Sequence, residues 1–142
     1  MQAPTAVRVR EWGVAAAPRA PEPRWLGLCL ALPGAWRDQP WPDSVVAKVG
    51  PKIFAFLSPL EHRPADGPET LGLKCGDREA ADLWLDRYPG SVRPMAYLGR
   101  YGWNTFVLDG AIPDDDVEEL LEDSYARVVA GLPRRARPPG MR

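Results

Sequence analysis

The sequence predicts an α+β protein, a two-layer sandwich in the order α-βββ-α-ββ-α whose mainly antiparallel five-stranded sheet is covered by helices. Three observations carry this expectation. Runs of β-branched and aromatic residues of strand length recur at 44–57, 70–75, 92–97 and 103–108. Two longer segments place apolar residues at helical spacing. An antiparallel sheet with one apolar face needs helices to cover it, so strands and helices in this order make two layers.

Residues 1–23 mix Pro, Ala and Arg without sustained periodicity and bury too little apolar surface to offset ordering. They form an N-terminal extension to a domain spanning 24–133, with a basic C-terminal tail at 134–142. In WLGLCLALPG a short helix is stopped by Pro33-Gly34. AWRDQPWPD follows, and its Pro40 and Pro42 forbid regular helix, which predicts a loop. SVVAKVGPKIFAFLS then reads as two strands joined at Gly50-Pro51, a turn that pairs Val49 with Lys52 and Lys48 with Ile53 and sends the two lysines to opposite faces. SPLEHRPADGPE is a polar, Pro-rich loop. TLGLKC is a third strand with Leu71 and Leu73 on one face and Thr70 and Lys74 on the other.

Asp77 is a good N-cap for a helix from about Arg78 to Tyr88, with Ala80, Leu83, Trp84 and Tyr88 as its apolar stripe and Pro89-Gly90 as its stop. Strands at Val92–Tyr97 and Trp103–Leu108 come next. The last helix begins after Pro113 and runs to about Ala130. Val117, Leu120, Leu121, Tyr125, Val128 and Val129 keep i, i+3, i+4 spacing along it, and Asp114–Asp116 favour the positive end of its dipole.

The formal net charge of −1 conceals an uneven distribution. The segment 25–133 holds 10 of the 18 basic residues and 17 of the 19 acidic ones, a net of −7, between ends that carry +2 and +4. Cys29 and Cys75 lie far apart in sequence without a CxxC, as two buried thiols of a reducing compartment would. Leu26–Leu32 is too short and too late for a secretory segment, and no stretch approaches the roughly 18–20 apolar residues of a membrane span. A soluble, cytoplasmic protein without a membrane partner is expected.

Six motifs in register carry a family resemblance: KVGPKIFAFL at 48–57, LKC at 73–75, YPG at 88–90, WNT at 103–105, LDG at 108–110 and SYARVVAGLP at 124–133. Over residues 25–133 the chain resembles the MmcQ/YjbR family. The resemblance implies an α-βββ-α-ββ-α domain similar to secretion-chaperone-like folds, with the double-wing motif for which the family is commonly labelled DNA-binding. The chain departs from the family pattern at Pro51, where a Gly is common, at Asp123, where a His often stands, and at Gly131, where a Lys often stands. Two of these changes remove positive or potentially positive charge.

The inventory for chemistry is thin. His62 is the sole histidine and falls in the Pro-rich loop, where it reads as surface. One His and two distant thiols make poor zinc ligands, and no phosphate-binding Gly-rich loop, dinucleotide fingerprint or nucleophile elbow occurs. The acids Asp114, Asp115, Asp116, Glu118, Glu119, Glu122 and Asp123 read as a solvated helix face rather than a cation surface, since they lack alternating ligands around a Gly turn. Neither enzymatic activity, metal nor cofactor is expected.

The leading functional expectation is nucleic-acid binding through a basic sheet and hairpin face. Lys48, Lys52, Lys74, Arg93 and Arg100 would meet backbone phosphates, with Tyr101 as a stacking residue. Tyr97 and Trp103 are further stacking candidates, unless Trp103 fills the core. These contacts would position rather than specify, because no recognition helix is visible. The alternative is a protein-interaction module using the sheet face or the acidic last helix. A third reading is a small-molecule pocket near Trp36 and Trp41, two residues that otherwise cover the end of the core. Asn104 and Thr105 would hydrogen-bond backbone groups, and Asp109-Gly110 would turn the chain into the last helix.

Overall fold

The computed structural model describes residues 23–42, 44–57 and 67–141. The expected extension up to residue 22, His62 and most of the Pro-rich loop lie outside them. In chain order the described elements are α1 (Leu26–Leu30), β1 (Ala35–Trp41), β2 (Ser44–Val49), β3 (Lys52–Phe56), β4 (Glu69–Lys74), α2 (Arg78–Arg87), β5 (Val92–Pro94), β6 (Trp103–Leu108) and α3 (Asp114–Ala130). The strands form one antiparallel sheet in the order β1-β2-β3-β4-β6-β5. No described helix is long and apolar enough to cross a membrane.

The expected α+β class holds, with one strand more than the five expected. AWRDQPW is the edge strand β1 and not a loop. Among the described residues it pairs only with β2, from Ala35↔Val49 to Trp41↔Ser44, and its register shifts between Asp38 and Trp41. Proline is excluded from helices and from central strands, but an edge strand with a bulge tolerates the missing N–H of Pro40. At the opposite edge β5 stops at Pro94 instead of reaching Tyr97, and the chain turns immediately.

The hairpin register is the one the Gly50-Pro51 turn predicts, with Val49 opposite Lys52 and Lys48 opposite Ile53. A bulge between Ala47 and Lys48 then lets Phe54 and Ala55 both reach the helices. The main core lies between the sheet and the helices. Leu26 and Cys29 of α1, Ala81 of α2 and Val117, Leu120, Leu121, Tyr125, Val128 and Val129 of α3 pack on Val49, Phe54, Leu71, Leu73 and Phe106. Burying each large apolar side chain contributes about 1.5–3 kcal/mol.

Ser124 joins α3 to the sheet. Its hydroxyl donates to Phe54 O at 2.6 Å and accepts from Lys74 N at 2.9 Å, and so bridges β3 and β4. Beside it the Tyr125 ring meets Phe54 edge-on at 5.3 Å.

Helix α2 differs from its expected stripe. Asp77 caps it as predicted, accepting from Ala80 N at 2.8 Å. The inward residues are Ala81, Trp84, Leu85 and Tyr88, whereas Leu83 is 67% exposed. Period and cap were right, and the face was rotated by about one residue.

The basic segment after α3 packs back against the domain. A 3₁₀ turn at Arg134–Ala136 brings Pro138 into burial, and the Tyr125 hydroxyl donates to Pro33 O at 2.6 Å with Met141 Sδ 3.3 Å away. Arg137 donates to Leu132 O and Ala130 O, both at 3.0 Å, and so covers carbonyls left open where α3 ends.

Gly102 and Gly110 both have positive φ, at 88° and 99°, but differ in their surroundings. A Cβ on Gly102 would lie 1.7 Å from Gly76 O, while nothing stands within 4 Å of one on Gly110. Urea unfolding should therefore show Gly102→Ala losing about 3 kcal/mol or more, and Gly110→Ala only about 1 kcal/mol. Equal losses would mean that backbone conformation, not the close approach, decides the cost.

Candidate nucleic-acid interface

The face of the sheet turned away from the helices carries a second, smaller cluster. Val46, Phe56, Met95 and Trp103 are buried there, with Ile53 and Leu98 packed against them. Met95, just beyond β5, folds over β4 at Gly72, where a Cβ would come within 2.8 Å of its Sδ. Trp103 meets Phe56 edge-on at 5.6 Å and is only 9% exposed. Trp103 thus fills a core and offers no ring to a base.

Register places the expected cations around this cluster. Trp36 pairs with Lys48 and Lys48 with Ile53, while Lys74 pairs with Trp103, all toward the same end of the far face. Strands lie about 4.8 Å apart, so the backbones of Lys48 on β2 and Lys74 on β4 are roughly 10 Å apart, on either side of β3. Arg93 pairs with Thr105 and is exposed on the same face. Arg100 and Tyr101 lie in the turn that enters β6 at Trp103. Lys52 is exposed at the same end of the sheet but on the helix side, since its partner Val49 belongs to the main core.

The cations differ in what already holds them. Lys48 Nζ is 2.7 Å from Asp38 Oδ2 and 5.1 Å from the centroid of the Trp36 ring, so part of its charge is spent within the protein. The hydrogen bond from Lys48, with a second from Gln39 N, holds the Asp38 carboxyl below its usual range. Trp36 donates through Nε1 to Gly50 O at 2.9 Å. Trp36 and Trp41 are both exposed on β1 and do not cover the end of the core.

The loop 95–102 is the feature that sequence reading did not resolve. Gly99 N donates to Met95 O, Tyr101 N to Leu98 O and Gly102 N to Gly99 O, so the chain winds into a tight turn. Cys75 N donates to Gly102 O at 2.8 Å and ties the turn to the end of β4. Beneath it Arg78, in the first turn of α2, donates to Gly99 O at 2.8 Å, to Trp103 O at 3.3 Å and to Asn104 Oδ1 at 2.6 Å, while its Nε reaches Asp82 at 2.8 Å. Asn104 is fully buried and passes the link on to Ala81 O at 2.8 Å. Arg78 offered no signal in the sequence beyond its place after an N-cap. Tyr97, by contrast, was visible as a candidate, and the loop leaves it 88% exposed at a φ of 67°.

Among the described residues, three of the seven acids of α3 are paired, two of them with neighbouring segments and one within the helix. Asp114 pairs with Arg24 at 2.5 Å, Asp116 accepts from the Tyr88 hydroxyl and lies 3.3 Å from Arg87, and Asp123 pairs with Arg127 at 2.7 Å. Asp109 accepts from Ser91 Oγ and Ala111 N, forming the expected turn into α3. Cys29 and Cys75 are free and buried, and burial pushes both thiols up to about 12. A cavity of about 60 Å³ beside Trp25, Leu108 and Val117 is far below the roughly 300–1,000 Å³ of ordinary ligand sites.

Two outcomes test this geometry. Arg78→Leu should cost about 2–3 kcal/mol in urea unfolding and speed amide exchange at Tyr101 and Gly102, because it strips a charged donor from buried acceptors. Asp82→Asn, which touches only the exposed side of that guanidinium, should cost about 0.5 kcal/mol or less. In a carboxyl NMR titration, Lys48→Gln should raise the Asp38 pKa toward its ordinary value. The sign follows from the folded pKa lying below the unfolded one: the pair stabilises above the unfolded value and is lost as pH falls through the folded one. An unmoved Asp38 pKa would place the cause elsewhere.

Comparison with known proteins agrees with this architecture. The YjbR family model matches residues 30–127. The YjbR proteins of Escherichia coli K12 and of E. coli O157:H7 are each 33% identical over 114 residues, covering 79% of this chain and 90% of their own. A crystal structure of Deinococcus radiodurans protein DR2400, of domain DUF419, superposes with a TM-score of 0.65 at 28% identity over 78% of this chain and 80% of that one. A Pseudomonas syringae protein shares the fold at 23% identity, with a TM-score of 0.50 over 63% of this chain and 83% of its own. Motifs, topology and matched length agree: the chain belongs to the YjbR family.

Proposed function

We propose that this domain is a non-enzymatic module of the cytoplasm that contacts nucleic acid, without reading sequence, through the far face of its sheet. The observation that carries this reading is the separation of charge across the sheet. Lys48, Lys74, Arg93 and Arg100 gather on the far face and in the adjoining turn, where Asp38 offsets Lys48 alone, while the acids of α3 stand on the helix side. A body of net −7 repels phosphate on average, so only such local segregation lets a polyanion approach. With no helix among the described residues placed to enter a groove, the cations position the polymer and do not specify its sequence. The two free, buried cysteines support a reducing compartment.

Fluorescence anisotropy with short labelled DNA at about 50 and 200 mM salt tests the reading. Binding should weaken steeply between the two, and Lys74→Glu and Arg100→Glu should each lower affinity for every sequence and flatten the salt slope by about 1. Because residues 134–141 pack on the core, the basic C-terminal arginines are tested by Arg134→Gln with Arg135→Gln, not by truncation. That pair should leave binding in place. Absence of binding at low salt, or binding indifferent to Lys74 and Arg100, overturns the reading. It would shift attention to Trp36 and Trp41, exposed on an edge strand as protein contacts often are.

A further inference from the structure

We infer that the loop from Met95 to Gly102 is a stacking platform for unpaired bases, so that the nucleic acid this domain takes is single-stranded. The inference rests on the nucleic-acid reading above and names its substrate class.

Tyr97 and Tyr101 stand on this loop at 88% and 56% exposure, in a protein whose other tyrosines are partly or fully buried. The Arg100 guanidinium lies over one face of the Tyr101 ring, 4.9 Å from its centroid, so a base would take the other face with a cation for its phosphate close by. From Ser91 to Leu108 the chain has two arginines and no acid, although the body around it is acidic.

The backbone adds an independent observation. Tyr97 is the sole non-glycine residue with positive φ among those described. Strain of this kind persists where the surroundings over-determine it, and it concentrates at ligand clamps. Here the surroundings are the Arg78 bonds to Gly99 O and Trp103 O and the tie from Cys75 N to Gly102 O. Arg78 is thus a positioning residue that shapes the loop from beneath. The backbone that carries the two tyrosines is set before any ligand arrives, which lowers the ordering cost of binding.

Geometry favours single strands over duplex. A paired base hides both ring faces in the stack and shows only its edge in a groove, and grooves are entered by helices or long ribbons. The rings here sit on a short turn, and each can take the face of a splayed base whatever its identity.

Anisotropy of the full chain would be measured with labelled oligothymidylate of about twelve nucleotides and with a blunt duplex of equal length. The single strand should bind more tightly. Tyr97→Gly and Tyr101→Ala should each weaken it about tenfold while leaving the weaker duplex binding unchanged, and Tyr101→Phe, which keeps the ring, should restore it. Tyr97→Gly relieves the positive φ, so its melting temperature should not fall, and lost binding cannot then be charged to unfolding. Equal affinity for both forms, with losses confined to Lys74→Gln and Arg93→Gln, overturns the stacking platform and leaves the nucleic-acid reading intact. No binding of either form at low salt overturns both.

Discussion

Gly102 and Gly76 meet where β6 begins and β4 ends, at a separation that admits no side chain on Gly102. This close approach lets Cys75 N reach Gly102 O and seals the open end of the β4–β6 ladder, whose register runs without a shift from Glu69↔Leu108 to Lys74↔Trp103. It also sets the start of α2 under the 95–102 turn, where Arg78 finds three acceptors on loop and strand. A bulkier residue at 102 would part the two backbones, and with them the positions of Lys74, Trp103, Arg100 and Tyr101. The candidate interface therefore hangs on a contact made between two peptide groups.

The two faces of the sheet solve different problems. The helix side is a conventional core, closed by Ser124 and Tyr125 of α3 against β3 and β4. The far side has no described helix to cover it. Its centre is closed locally by Met95, Phe56 and Trp103, which leaves charged residues at its rim. Asp114 and Asp116 are engaged with an arginine before α1 and with Arg87 and Tyr88 at the end of α2, so these two acids join α3 to its neighbours as well as favouring the helix dipole.

Most of the fold was legible because local signals agreed. The Gly50-Pro51 turn dictated a register that the hairpin adopts, Asp77 capped the helix it precedes, and the stripe of α3 was read residue for residue. What failed did so where tertiary context decides. Pro40 argued for a loop, but a strand paired on one side only can spare an N–H. The residues after α3 read as a basic tail, and Arg134 and Arg135 are exposed, yet Arg137 caps a helix end and Pro138 is buried. At the site, the alternation of Lys48 and Lys52 was readable from the turn. The role of Arg78 was not, because its acceptors lie 21 to 26 residues away in sequence.

Both margins of the sheet are interrupted by proline, Pro40 in β1 and Pro94 at the end of the three-residue β5. A sheet blunted in this way is a poor template for a further strand, whether donated by another copy of the chain or by an extended peptide. Recruitment by main-chain pairing, which many small α+β domains use, is thereby discouraged, and so is runaway edge-to-edge assembly. Whatever associates with this protein must be recognised by side chains standing on its surface, and selectivity can then change by substitution at a few exposed positions without any change in how the strands pair.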